Sequence, residues 1–215
     1  MDFERLSLPV LKEEDKFDSI KNNLNNEMNN LLSFLQENYN LVTLSIETNY
    51  AGISDAAGKR IEYIDFVKKE YLNYFSQVVT KINDEAESKN LIKLIHQFDY
   101  LFQIHDSIND IYKTKKVISE QFVELKSDVL LLTRELSSRT LGLFDDLRKN
   151  MAGDTMIDVQ SLSKEMQESL DDANRQLLSL LADPARNDAG ALTNFVTYSQ
   201  RLKDKLINYA NTNNQ

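Results

Sequence analysis

The sequence predicts an all-α fold of six long helices arranged as two tandem three-helix bundles. Apolar residues recur at alternating spacings of three and four along most of the 215 residues, the mark of helices that each bury one face. Five Gly and two Pro leave little turn chemistry for a many-stranded sheet. A shift of 98 positions, which carries Asp106 onto Asp204, lays the apolar pattern of the second half over that of the first.

Residues 1–12 contain Pro9 and a short apolar run, LSLPVL, and read as an extended lead-in or linker that docks onto a helix or joins an upstream segment. The first helix is expected from about Glu13 to Thr48, with Ile20, Leu24, Met28, Leu31, Leu35, Val42 and Ile46 on one face. Asn49 to Ala57 holds the Gly and Asn of a break, and the second helix follows Gly58 with Ile61, Ile64, Lys68, Tyr71, Phe75, Val78 and Ile82 in register. Asp84 to Lys89 reads as a polar break before a third helix over Asn90 to Lys115.

Ser119 is the expected N-cap of the fourth helix, which carries Phe122, Leu125, Val129, Leu132, Leu136 and Leu143. A turn is expected at Asn150 to Asp154, around Gly153. The fifth helix shows Val159, Leu162, Met166, Leu170, Ala173, Leu177 and Leu180, and Asp183 to Gly190, with Pro184, ends it. The sixth runs from about Ala191 to Ala210, and the Asn-rich tail beyond should fray.

The shift pairs Ile20 with Ile118, Leu24 with Phe122, Leu31 with Val129, Ile61 with Val159, Leu94 with Leu192, Ile104 with Leu202 and Ile108 with Leu206. Glu27 with Leu125 and Asn38 with Leu136 are mismatches, so the repeat is degenerate. The resulting division is a lead-in at 1–12, a first three-helix repeat at 13–116 and a second at 117–212.

With 25 basic against 34 acidic residues the chain carries a net charge of −9, a balance that repels nucleic acid and anionic lipid. The absence of Cys excludes disulfides, thiolate zinc sites and a Cys nucleophile. No apolar run approaches the roughly 20 residues of a membrane span, and no signal-peptide core opens the chain, so cytoplasmic placement is expected. No Gly-rich phosphate loop and no convergent nucleophile, base and oxyanion donor suggest themselves, so a non-enzymatic protein is expected.

The stretch NLIKLIHQFDYLFQIHDSINDIYKTK, Asn90 to Lys115, joins a core pattern to a row of carboxylates. Leu91, Leu94, Phe98, Leu101, His105, Ile108 and Tyr112 share the core face. The neighbouring stripe begins with Ile92 and Ile95 and continues through Asp99, Phe102, Asp106 and Asn109, which would bury two carboxylates. Asp106 and Asp110 stand four apart, a spacing that lets both reach one hard cation. The blander expectation is that Asp106 sits at a bundle seam and pairs with a Lys or Arg of a neighbouring helix. For Asp204, flanked by Lys203 and Lys205, an internal ion pair is expected still more.

Glu168 and Asp172 make another four-apart pair that reads as a solvated face, and Asp65 on the second helix could approach Asp106. His105 lies on the core face with His96 toward the edge, and a histidine satisfied by a neighbouring side chain is the expectation there. No second His stands four residues from either, which leaves a zinc site unsupported.

With two three-helix repeats and an acidic segment on the last helix of each, the chain resembles the PhoU family, whose third helices carry the motif E-R-I-G-D-H-x-x-N-I. The copies here are FQIHDSINDI, Phe102 to Ile111, and QRLKDKLINY, Gln200 to Tyr209. The aspartate is kept as Asp106 and Asp204, while Asn208 fits the late Asn of the second copy and Asp110 stands there in the first. The leading Glu, which with the Asp chelates metal in the family, is replaced by Phe102 and Gln200.

VISEQFVELKSDVLLLTREL, Val117 to Leu136, also looks like the opening of the second repeat in the PhoU-like C-terminal domains of bacterial sodium/phosphate cotransporters. The resemblance implies a regulatory domain of a phosphate transport system that meets a membrane transporter domain or phosphate-signalling proteins, with a homodimer compatible. It also implies membrane association only through a transporter domain outside this chain, and a divalent or iron-type metal ion at Asp106, Asp110 and Asp204. A helical scaffold or interaction module without a ligand is the rival expectation.

Overall fold

The computed structural model describes residues 3–151 and 158–213. Six α-helices make up the fold: α1 Phe17–Thr48, α2 Ala51–Val78, α3 Glu85–Glu120, α4 Ser127–Met151, α5 Val159–Leu181 and α6 Ala189–Asn213. One 3-10 turn, Val79–Lys81, prolongs α2, and no strand occurs among the described residues. The all-α expectation and the two trios α1–α3 and α4–α6 hold. The trios are not separate bodies, because α3 packs along α6 and α1 along α4.

The apolar stripes become one continuous core running through both trios. Ile104, Ile108, Leu202 and Leu206 are all fully buried, as the paired positions of α3 and α6 require. The mismatched pair Asn38 and Leu136 is also interior on both sides. Across the α1–α4 contact, Gln36 donates to Asp145 at 2.7 Å, Arg148 donates to Gln36 at 2.9 Å, and Arg134 donates to Glu47 at 3.1 Å. Low-numbered residues of α1 thus face high-numbered residues of α4, so the two helices run antiparallel.

Three expected boundaries differ. The break at Asn49 to Ala57 shrinks to Asn49 and Tyr50, because Asn49 ends α1 in the left-handed region at φ 51° and α2 begins at once. Gly58 lies inside α2, where a Cβ would stand 2.6 Å from the Tyr112 hydroxyl of α3. It lets two helices approach; it does not break one. Asp84 to Lys89 is the first turn of α3: the Asp84 carboxylate accepts from the Glu87 amide at 2.8 Å, and Glu87 accepts from the Asn83 amide at 2.8 Å.

The third difference is the α3–α4 link. Ser119 caps no helix; its hydroxyl accepts from Lys115 Nζ at 2.8 Å, and α3 continues to Glu120. Lys115, the last residue of the expected third helix, is itself 3% exposed and donates also to Asn49, so the helix is tied down where it was expected to end. The boundary drawn at 116/117 therefore falls inside α3, and Ile118 and Phe122 belong to α3 and its link, not to α4. The turn expected at Asn150 to Asp154 lies largely outside the described residues, with α4 still helical at Met151. The sixth helix runs past Ala210 to Asn213.

The link closes α3 with a Schellman-type arrangement, in which Phe122 N–H donates to Ser119 O at 3.3 Å and Val123 N–H to Ile118 O at 3.0 Å. Phe122 holds the left-handed position at φ 53° with its ring 90% exposed. A bulky residue pays a steric penalty there that glycine does not. Phe122→Gly is expected to raise stability by about 1 kcal/mol, read as a higher urea midpoint at unchanged slope.

The lead-in docks as expected. Tyr63 donates to Leu6 O at 3.2 Å, Ser7 donates to Glu27 at 2.8 Å, and the Phe3 ring meets Phe34 edge-on at 5.6 Å. Arg60 of α2 lies 3.9 Å over the Phe34 ring, donates to Glu37 at 2.7 Å and stands 5.3 Å from the centre of the Phe3 ring, which pins this strap to α1 and α2.

Candidate functional site

The acidic segments occupy the outer flanks of α3 and α6. Asp106 and Asp204 were expected inside the assembly, and the structure places them at its surface, their side chains 56% and 51% exposed. The reason lies in the α3 stripe. Ile92 is 52% exposed and Ile95 only partly covered at the edge of the core, so the stripe runs along the rim of the bundle, and of this row only Phe102 is fully covered. A helix turns about 100° per residue, so placing His105 in the core turns Asp106 outward.

The blander expectation for Asp106 holds: Lys68 Nζ of α2 lies 3.4 Å from its Oδ2. The same ammonium stands 5.9 Å from the centre of the Phe102 ring. Asp110 pairs with Lys113 at 3.0 Å, and Asp99 accepts from Gln103 at 2.6 Å. No three His, Asp or Glu residues gather to hold a metal ion among the described residues.

His105 is fully buried, and its Nε2 lies 3.1 Å from Asp65 Oδ1. Asp65 therefore serves His105, with Asp106 as a more distant charge on the same ring. Burial pushes the His105 pKa down against the pull of the Asp65 hydrogen bond, and its Nδ1 has no partner in the interior. The neutral ring thus donates from Nε2 to the carboxylate.

The sign of the pH effect follows. A histidine whose folded pKa lies below its unfolded value stabilises fully above the unfolded value of 6.5 and loses that contribution as pH falls below it. Urea midpoints of the wild type should therefore fall as pH drops from about 6.5, and His105→Leu should flatten that slope.

In the second trio the aspartate enters a closed ring. Lys203 Nζ donates to Asp204 Oδ1 at 3.1 Å and to Gln167 Oε1 of α5 at 3.0 Å. Gln200 Nε2 donates to the same two oxygens, at 3.2 Å and 3.1 Å. Lys203 is 8% exposed, so its charge is held rather than solvated. Glu168 and Asp172 are exposed, as expected of a solvated face, and Asp172 pairs with Arg175.

Sequence reasoning missed Lys68 and Gln167 as partners, although Lys68 stood visibly within the apolar register of the second helix. It also missed the Asp128–Arg186–Asp188 cluster, in which Arg186 bridges the α5–α6 link and the start of α4. A hollow of about 410 Å³ between the end of α3 and the start of α6 is lined by uncharged residues such as Gln121, Asn187 and Asn194. Neither Asp106 nor Asp204 reaches it, so the motif aspartates are surface groups and not cavity ligands.

No family model matches the sequence, and no curated protein matches it. Among solved structures the chain is similar to PhoU from Pseudomonas aeruginosa, with a TM-score of 0.75 at 12% identity over 92% of this chain and 96% of that one. The likeness extends through both trios and shows a PhoU-like fold.

Proposed function

We propose that the protein is a non-enzymatic regulatory domain of a phosphate transport system, working in the cytoplasm through contacts with a membrane transporter domain or a phosphate-signalling protein. The observation that carries this reading is the extent of the fold likeness: both helical trios, in order, over 92% of the chain. The side chains at the motifs support binding and packing roles, since Asp106 pairs with Lys68, His105 meets Asp65, and Asp204 accepts from Lys203 and Gln200. Regulation would be a change in packing along the α3–α6 and α1–α4 contacts that alters the surface offered to the partner.

The test is removal of the coding sequence from its native host, followed by labelled phosphate uptake at high and low external phosphate. Altered uptake, or altered repression of the starvation response, is expected; identical uptake and response at both concentrations overturns the reading.

A second reading, a helical interaction module that takes no ligand, is favoured by the engagement of both motif aspartates with lysine. It differs in predicting a partner whose binding is indifferent to phosphate and to divalent cations.

A further inference from the structure

We propose that the ammonium groups of Lys68 and Lys203 occupy the place at each acidic motif where the family resemblance calls for a metal ion, so that both motifs are charge-complete without one. The leading Glu of the motif is missing from both copies; the residue standing in for it meets a lysine in the first and shares a lysine's two acceptors in the second. In the first copy Phe102 offers its ring face to Lys68, 5.9 Å away, while Asp106 offers a carboxylate oxygen at 3.4 Å. In the second, Gln200 joins Lys203 on Asp204 Oδ1 and Gln167 Oε1. A ring face attracts an ammonium, and a carboxamide with its N–H turned inward shares the ammonium's acceptor oxygens; neither group, so placed, offers a lone pair to a metal.

The second copy is the more closed. Asp204 Oδ1 and Gln167 Oε1 each accept two hydrogen bonds, which uses both lone pairs of each oxygen. A divalent cation would have to displace Lys203 from a position where its side chain is only 10% exposed, or sit beside it against like-charge repulsion. Waters can complete a hard cation's shell, but the protein must still supply carboxylate oxygens, and Asp204 is a single carboxylate whose Oδ1 is already engaged by Lys203 and Gln200.

The experiment is thermal unfolding and calorimetric titration of the whole chain with roughly 1 mM MnCl2, using wild type, Gln200→Glu, and Gln200→Glu with Lys203→Met. Wild type is expected to bind no Mn2+ and to keep its Tm. Gln200→Glu alone should behave the same, because Lys203 still fills the place. The double variant restores a Glu and Asp four apart and removes the ammonium, and its Tm should rise by about 4 °C with Mn2+.

Saturable Mn2+ binding by wild type or by Gln200→Glu overturns the proposal. Indifference of the folded double variant overturns it too, since the lysine would then not be what holds the place. Should the double variant fail to fold, Lys203→Gln with Gln200→Glu is put to the same test, and the same two outcomes decide. These readouts are independent of phosphate uptake, so the regulatory reading can fail while this one stands.

Discussion

Asp188→Ala is expected to destabilise the protein by about 3 kcal/mol, a fall in Tm of about 8 °C. Asp188 is fully buried in the α5–α6 link and accepts from Arg186 Nε at 2.7 Å, from Arg186 Nη2 at 3.0 Å and from the Lys126 amide at 3.0 Å. Arg186 spends its remaining donors on Asp128, at 2.8 Å and 2.9 Å, so one guanidinium ties the α5–α6 link to the start of α4. Truncating Asp188 leaves the Lys126 amide without its acceptor and a largely buried guanidinium with one exposed partner, and losing one member of a buried pair is the costly case. Burial pushes the Asp188 carboxyl up, but its bonds to Arg186 and Lys126 outweigh that and hold it below the usual range, while Arg186 brings Asp128 down to about 2.

Both aspartates therefore contribute stability above the ordinary carboxylate pKa and lose it as pH falls through the folded values. Chemical denaturation between about pH 4 and pH 2 should show the wild type losing stability faster than Asp188→Ala, which has already lost the clamp. Equal acid slopes would show that the clamp contributes nothing to the fold.

How far the sequence made this legible depends on the kind of signal. Helix type and number were readable because Leu, Ile and Phe at spacings of three and four leave one solution, and Ile104, Ile108, Leu202 and Leu206 duly lie in the core. Helix ends were less readable, because the residues that signal an end also serve other purposes. Gly58 accommodates Tyr112, Ser119 accepts from Lys115, and Asp84 to Lys89 is polar because acidic residues favour a helix N-terminus.

The motif itself was found by position, and its partners on neighbouring helices were not. Asp106 and Asp204 are where the repeat placed them along their helices, but a periodic pattern fixes a face only to within a residue or so, and one residue separates buried His105 from exposed Asp106. Lys203 beside Asp204 was legible as its neighbour, but that Lys68 meets Asp106 and Gln167 joins Asp204's ring depends on how α2 crosses α3 and α5 crosses α6, and no local pattern records a crossing. Arg186 was unreadable for the same reason. Its partners are Asp188, two residues away, and Asp128, 58 residues away, and the intervening chain gives no sign of the contact.

Phe98→Ala is expected to remove about 4 kcal/mol, or about 12 °C in Tm. The Phe98 ring is 1% exposed and lies at the centre of an aromatic cluster: stacked on Tyr71 at 4.5 Å, edge-on to Phe75 at 5.3 Å and within 6.4 Å of Phe102. Neighbours this large and mutually packed cannot close over the space a phenyl group leaves, so the cavity term adds to the lost transfer energy. Burial pushes the Tyr71 phenol well above its ordinary pKa, which marks this as a dry part of the α2–α3 contact.

The variant also tests whether the trios are independent. Phe98 belongs to the first trio by sequence, but α3 packs along α6, so loosening α3 loosens the surface on which the second trio rests. Calorimetry of Phe98→Ala should therefore show one transition displaced to lower temperature, with the van't Hoff and calorimetric enthalpies still equal. Two transitions, one displaced and one at the wild-type temperature, would mean that the α3–α6 contact does not couple the halves. A regulatory mechanism that passes through that contact would then have no physical basis.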